Sequence, residues 1–248
     1  MKILLITTEA PLNAGEVVSG NAVRTQQLGD ALIRAGHTVS HTWLSSSRIR
    51  PTGSFRNRDE LHGRLVAEAP DALIVGYWEL LGLLPCEHKP CVILDYFAPR
   101  SLEELFESPQ TVRNSLRRLR LNLERCDVIL VGNDEQAPLL FNSMIEAGFD
   151  LRVSIPVLTV PLGAEVAGPP QSAPDQDRWQ MVAGGVSWPW RKPGSYAQAL
   201  EESAAGMSKD LGIAQFGGSY KWHTEDQGYS AEDSDKHDPA IDYRALQP

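Results

Sequence analysis

The beginning of the chain constrains the fold more than any other stretch. An apolar segment typical of a buried strand, residues 3–8, leads into a loop that contains Gly15 and Gly20, and a helix is predicted over residues 21–35. A strand, a glycine-bearing loop and a helix form the opening unit of nucleotide-binding α/β folds, whose ligands lie at the carboxyl end of the strand. The free N–H groups at Gly20 and Asn21 suit an anionic or hydroxyl-rich ligand, although an ordinary helix cap also explains them.

The predicted helix has one apolar side and a clear end. Gly36 stands where a left-handed residue stops a helix, and a second strand is predicted to start at His37. Helical spacing places the following residues on the predicted apolar side: Val23, Leu28, Ala31, Leu32 and Ala35.

Charge and composition exclude several classes of protein. The 248 residues carry a formal net charge of −9, which argues against a nucleic-acid partner, because a phosphate backbone is held by clustered Lys and Arg. Cys86, Cys91 and Cys126 lack metal-ligand spacing, so we predict no metal site and expect reduced thiols. No apolar run approaches the roughly twenty residues that span a bilayer, and no signal peptide is recognised at the start.

Short apolar strands alternate with helices along the chain. This alternation specifies a parallel sheet with helices on both faces, so the predicted fold class is α/β with a doubly wound parallel sheet. The strands after the first are predicted over residues 38–44, 71–76, 90–95 and 127–132 and from residue 157.

The helical region predicted over residues 101–125 carries a basic stripe on an otherwise acidic protein. Such a stripe suits anionic lipid headgroups, as a peripheral membrane contact would require. A solvated face whose arginines pair with Glu103, Glu104, Glu107 and Glu124 also explains it and is the more common arrangement. The arginines that recur at about helical spacing are Arg113, Arg117, Arg118, Arg120 and Arg125.

Two strand ends carry side chains suited to binding. Tyr77 and Trp78 follow a buried strand and could stack against a sugar or a base. Asp95 stands at the end of the next strand, as a candidate catalytic carboxylate or as a cap for the segment that begins at Ser101.

A second strand-and-helix unit follows a Pro- and Ala-rich stretch. Its strand over residues 179–183 ends in Gly184 and Gly185, and Arg191 and Lys192 precede a helix predicted over residues 195–207. Two adjacent cations beside free backbone amides suit a diphosphate. One more strand is predicted over residues 211–216, after which the sequence becomes polar and reads as a poorly ordered tail.

Taken together, these segments resemble the GT-B glycosyltransferases, especially the retaining group that uses nucleotide-sugar donors. The resemblance covers about residues 1–220 and rests on MKILLITTEAP with GNAVRTQQLGDALIRAGHTV, on the Pro-x-Gly turn at 161–163 and on the glycine-ended strand at 184–185. It implies a Rossmann-like amino-terminal domain in which Gly15, Gly20 and Asn21 lie near the acceptor and the donor sugar. Asp95 occupies a strand end that often contacts the donor sugar in the family.

In the second unit the resemblance places the donor diphosphate at Gly184, Gly185, Arg191 and Lys192. It implies transfer of a sugar from a nucleoside diphosphate to an acceptor hydroxyl, with the nucleotide sugar as co-substrate and no cofactor or obligatory metal. The acceptor would be a glycan or a lipid-linked molecule, and the location cytoplasmic or at the inner face of the membrane. No histidine stands at Gly76 or Tyr77, which departs from the family pattern.

The predicted domains are an acceptor-side domain at 1–164, a linker at 165–178, a partial nucleotide-sugar-binding domain at 179–219 and a polar tail at 220–248. Because the family's glutamate-rich ribose motif is not found, we expect an enzyme only if the missing carboxy-terminal region is supplied, by a partner chain or another copy. A non-catalytic partner or acceptor-binding subunit is the alternative. A dehydrogenase or epimerase is disfavoured, because the first loop lacks compact Gly-x-Gly-x-x-Gly spacing.

Overall fold

A computed structural model describes residues 1–12, 20–45, 51–85, 90–106, 108–163, 178–184, 193–206 and 210–216. The chain forms two compact units, Met1–Ala164 and Glu165–Pro248. Within the ranges above, no helix is both long and apolar enough to cross a membrane.

The first unit is built on a seven-stranded sheet in the order β3-β2-β1-β4-β5-β6-β7, and every neighbouring pair is parallel. The sheet extends from β1 in both directions, so the predicted doubly wound α/β fold is confirmed. The strands are β1 Lys2–Thr7, β2 Thr38–Leu44, β3 Ser54–Phe55, β4 Ala72–Val75, β5 Cys91–Tyr96, β6 Val128–Val131 and β7 Val157–Thr159.

Helices connect these strands and cover the sheet. They are α1 Gly20–Arg34, α2 Arg58–Glu68, α3 Trp78–Leu81, α4 Arg100–Glu103, α5 Pro109–Leu123 and α6 Gln136–Glu146, with a 3-10 turn over Glu104–Phe106.

The region predicted as helical over residues 101–125 is mostly helical in the structure, but it is divided into α4, the 3-10 turn and α5. The Ser108 side chain accepts a hydrogen bond from the Thr111 N–H, and Pro109 occupies the first turn of α5. A serine cap followed by proline is a strong helix start, and it separates α5 from the short turns of α4.

The apolar side predicted for α1 is only partly correct: Leu32 packs against the sheet. Ala31 and Ala35 are exposed, whereas Arg24 and Thr25 are buried. A Cβ at Gly29 would lie only 3.2 Å from Leu5 Cδ1, so this glycine lets the helix lie close against β1. The helix therefore presents a largely polar side to the protein. Gly36 has φ +85°, the left-handed helix end that the sequence predicts.

The core lies on both faces of the sheet. On one face Ile3, Leu5 and Ile74 pack with Leu32 of α1 and Val39. The larger cluster on the other face includes Leu4, Ile6, Leu73, Val75 and Leu94 with residues of α2, α3, α5 and α6. Strands buried on both faces need continuous apolar runs, which is why their sequences show no alternation.

The second unit, described by itself, contains two parallel strands and one helix. Strand β8, Arg178–Gly184, pairs in register with β9, Asp210–Phe216, and α7, Pro193–Gly206, connects them. Arg178, the last residue of the predicted linker, begins β8. The rest of that linker and the predicted tail lie outside the described residues.

Candidate functional site

The candidate site lies at the carboxyl edge of the seven-stranded sheet, where β1 neighbours β4. After β1 the chain continues to β2 on one side of this strand pair, and after β4 it continues to β5 on the other side. Ligands of doubly wound folds bind at such a switch point. Thr8 and Glu9 follow β1, Gly76 and Tyr77 follow β4, and Gly20 begins α1.

Asn21 connects the start of α1 to the end of β4. Its Nδ2 donates to the Gly76 carbonyl oxygen at 3.3 Å, and the residue is 8% exposed. A Cβ at Gly76 would lie 3.1 Å from Thr7 Cγ2, so glycine allows the two strand ends to approach. The Oδ1 atom of Asn21 accepts no hydrogen bond from the residues that the structure describes, and the buried Thr8 hydroxyl lies close to the Tyr77 hydroxyl. These two oxygens are candidate hydrogen-bond partners for a ligand at this edge.

Tyr77 and Glu9 form the second part of the site. The Tyr77 hydroxyl donates to Glu9 Oε1 at 3.3 Å, and Asn21 and Thr8 also lie close to it. Burial, followed by the charge of the Glu9 carboxylate, raises the pKa of Tyr77 to about 12. The phenol is therefore a neutral hydrogen-bonding group at neutral pH, suited to a hydroxyl-bearing ligand.

His41 supports the β1 end from the neighbouring strand. Thr7 Oγ1 donates to the Glu9 carbonyl at 2.7 Å, so the contact of the same hydroxyl with His41 Nε2, also 2.7 Å, requires His41 to donate. This fixes the proton on Nε2. Burial lowers the pKa of His41 from 6.5 to about 4, which keeps the ring neutral at neutral pH.

The stability of the protein is expected to fall as the pH drops from about 6.5 toward 4. The unfolded chain binds a proton at His41 near pH 6.5, whereas the folded chain binds it only near pH 4, so the contribution is full above 6.5 and is lost below it. Unfolding midpoints in urea at several pH values measure this. His41→Gln should flatten the profile, whereas the same change at exposed His62 should leave it intact; an unchanged slope in His41→Gln would contradict the assignment.

Asp95 lies at the carboxyl end of β5, and its carboxylate is held by Arg24. Arg24 Nε lies 2.9 and 2.8 Å from the two carboxylate oxygens, and both side chains are almost fully buried. Arg24 Nη1 also donates to the Val160 carbonyl. Burial raises the pKa of Asp95, and the Arg24 guanidinium opposes this rise. The pair joins α1 to the ends of β5 and β7.

Phe97 completes the edge beside this ion pair. The guanidinium of Arg24 lies 5.0 Å from the centre of its ring. A Cβ at Gly132 would lie 3.2 Å from the ring, whereas one at Gly20 would be in ordinary contact at 3.6 Å. Gln136 Nε2 donates to the Phe97 carbonyl at 2.8 Å. The ring therefore occupies a slot between the starts of α1 and α6.

A further polar cluster follows β4 and β5. Arg100 lies 3.2 Å from Glu79 and 3.1 Å from Glu104, which ties α3 to the turn after α4. Burial raises the pKa of Glu79. In the part of the chain that the structure describes, no group of three or more His, Cys, Asp or Glu could hold a metal ion.

The structure brings together some of the predicted site residues. Gly20, Asn21 and Tyr77 lie at this edge, and the Asp95 carboxylate is engaged there by Arg24. Trp78 is 4% exposed and lies in the core with Arg118 over its ring at 5.6 Å, which weighs against stacking on a sugar. Gly184 ends β8 in the second unit; Gly15, Gly185, Arg191 and Lys192 lie outside the described residues.

Sequence reasoning did not select five residues of this edge. Their signals were weak: the polar residues Thr8 and Glu9 come directly after a buried strand, and a charged residue interrupts the helix after Asn21. The five are Thr8, Glu9, Arg24, His41 and Phe97.

The fold matches solved GT-B glycosyltransferases. Sucrose-phosphate synthase from Thermosynechococcus elongatus matches with a TM-score of 0.61 and 14% identity, over 89% of this chain and 63% of that one. An α-glucosyltransferase in complex with UDP-glucose and DNA containing an abasic site matches with a TM-score of 0.55 and 14% identity, over 87% and 57%. No model of a known protein family and no curated protein sequence matches.

The chain therefore has a GT-B glycosyltransferase-like fold, as the sequence predicts. It spans about six tenths of the length of these solved structures.

Proposed function

We propose that the protein takes part in transfer of a sugar from a nucleoside diphosphate sugar to an acceptor hydroxyl. The observation that carries the proposal is the set of polar groups at the β1–β4 switch point: the Asn21 and Thr8 oxygens and the Tyr77–Glu9 pair. These groups suit a hydroxyl-rich ligand, and they lie in a fold that matches nucleotide-sugar enzymes.

In this proposal the residues of the edge have distinct roles. The Asn21 Oδ1 atom accepts a hydrogen bond from a sugar hydroxyl, and the Thr8 hydroxyl donates or accepts one. The Tyr77 hydroxyl donates a further hydrogen bond, because it stays protonated. Arg24 holds Asp95 and the Val160 carbonyl, so it positions the edge and does not touch the ligand. Asp95 as a catalytic residue remains a prediction, with its carboxylate engaged by Arg24.

The residues proposed for the donor diphosphate belong to the second unit. Gly184, Gly185, Arg191 and Lys192 would hold it, with the charge of the leaving group stabilised by the two cations and by backbone amides, without a metal. No cofactor other than the nucleotide sugar is part of the proposal. The diphosphate-binding role follows from the sequence pattern alone.

The acceptor is proposed to be a glycan or a lipid-linked molecule, and the location cytoplasmic or at the inner face of the membrane. A partner chain or a second copy would complete the donor-binding domain. The alternative is a non-catalytic acceptor-binding subunit, which would use the polar groups of the first unit alone.

Hydrogen–deuterium exchange of the full chain tests the proposal on the first unit. UDP-glucose, ADP-glucose and GDP-mannose serve as probes at millimolar concentration. At least one should slow exchange at residues 8–12, 20–22 and 76–77, because a bound sugar would order these backbone groups. Helix α2 contributes no residue to the candidate site, and it should exchange at an unchanged rate.

A matched pair of variants sharpens this experiment. Asn21→Ala should reduce the protection, whereas Asn114→Ala, on the exposed surface of α5, should not. Protection by a glycan acceptor with no effect of the nucleotide sugars would favour the acceptor-binding subunit. Unchanged exchange with every probe would contradict both functions.

A further inference from the structure

The outer surface of α5 and α6 differs in charge from the rest of the protein. Helix α5 contains four arginines and no acidic residue, and α6 contributes Glu146 as its one charged side chain, although the whole chain has a net charge of −9. We call this surface, with its arginines and exposed leucines, the α5–α6 face. It consists of Arg113, Leu116, Arg117, Arg120, Leu121 and Leu139.

The arginines of this face are largely left to solvent. Arg113 and Arg117 are exposed, and Arg113 contacts Gln110 of its own helix. The Arg117 side chain makes no hydrogen bond or ion pair with any residue that the structure describes. Arg120 approaches Glu146 at 3.7 Å, a distance at which an exposed pair contributes little. Arg120 thus pairs with a glutamate of α6, whereas the alternative prediction placed the partners of these arginines at Glu103, Glu104, Glu107 and Glu124.

Apolar side chains are interleaved with these charges. Leu116, Leu121 and Leu139 are 42%, 47% and 50% exposed. Leu116 and Leu139 line a groove of about 450 Å³ between the two helices, together with Arg117, Arg120, Asn142, Ser143 and Glu146. Arginines beside exposed leucines match the interface of a bilayer, where the guanidinium meets a lipid phosphate and the leucine enters the acyl boundary. A nucleic acid would use the charges but leave the leucines without a partner.

We infer that the α5–α6 face docks on a bilayer that contains anionic lipid. The inference follows from charge complementarity and apolar exposure, and it does not depend on sugar transfer. If the acceptor is lipid-linked, this face would hold the protein at the surface where that acceptor lies.

Co-sedimentation of the full chain with vesicles tests the inference without any sugar substrate. Vesicles of 30% phosphatidylglycerol in phosphatidylcholine should bind the protein at low salt, and pure phosphatidylcholine vesicles should bind it much more weakly. The triple change Arg113→Glu, Arg117→Glu, Arg120→Glu should lower the partition coefficient by at least about 100-fold, since each basic residue near an anionic surface adds roughly five-fold. Circular dichroism melting verifies that each variant folds.

Two comparisons separate docking from other causes. The triple change Lys2→Glu, Arg34→Glu, Arg152→Glu alters the net charge equally at exposed positions elsewhere and should retain most binding. Leu116→Ser with Leu139→Ser should weaken binding while preserving its dependence on phosphatidylglycerol. The inference is overturned if the phosphatidylglycerol vesicles fail to bind the wild-type chain, if both triple variants lose binding equally, or if a duplex DNA binds this face and vesicles do not.

Discussion

Asp95→Ala is expected to lower the free energy of unfolding by about 3–5 kcal/mol. The change removes the carboxylate that neutralises Arg24, and Arg24 is only 1% exposed. An unpaired guanidinium would then be buried between α1 and the ends of β5 and β7, because its other hydrogen bond, to the Val160 carbonyl, cannot neutralise it. Urea unfolding of the full chain, followed by circular dichroism, measures the loss.

Two further variants isolate the charge from the packing. Arg24→Met combined with Asp95→Leu should recover much of the lost stability, because it replaces both charges with apolar side chains. Asp150→Ala, which breaks the exposed Asp150–Arg152 pair, should produce no measurable change. A stable Asp95→Ala protein with reduced ligand binding would show instead that Asp95 serves the ligand.

The strands were predictable because each is a short apolar run bounded by turn-forming residues. β4 and β6 are four-residue runs buried among their neighbours, and the sequence placed both to within a residue or two. β3 was missed, since its two residues, Ser54 and Phe55, lie in a polar stretch that reads as a loop. Only the tertiary structure, in which Phe55 is fully buried, identifies it as the sheet edge.

The site was less predictable, because its geometry depends on residues far apart in the chain. The position of Asn21 and Tyr77 at the ends of predicted elements was enough to select them. The partner of Asp95 was not predictable: Arg24 lies 71 positions away on a helix whose buried side turned out to be polar. Helical spacing alone ranks apolar residues as buried, and it fails where a helix packs through a glycine and an ion pair.

Trp78 illustrates the same limit. A tryptophan after a buried strand resembles an exposed stacking platform, and the sequence does not distinguish this from the first residue of a short buried helix. The difference lies in α5, which covers α3: Asn122 Nδ2 donates to the Trp78 carbonyl and Arg118 lies over the ring. Tyr77, one residue earlier, remains at the edge.

The second large effect is expected at Arg191 and Lys192. If both hold the donor diphosphate, changing both to Ala should weaken nucleoside-diphosphate binding by about 1.5–3 kcal/mol for each charged hydrogen bond lost. Thermal stability should change little, since the proposed role concerns the ligand. Lys2→Ala with Arg34→Ala removes the same charge at exposed positions of the first unit and should leave the affinity unchanged.

Calorimetric titration of the full chain with UDP tests the proposed glycosyltransferase function most directly, because the proposed diphosphate site at Gly184, Gly185, Arg191 and Lys192 belongs to this chain whether or not a partner completes the domain. The prediction is measurable binding by the wild-type chain, retained in the Lys2→Ala, Arg34→Ala variant and weakened at least ten-fold in the Arg191→Ala, Lys192→Ala variant. Absence of binding to the wild-type chain, or equal affinity in the wild-type chain and the Arg191→Ala, Lys192→Ala variant, would contradict it.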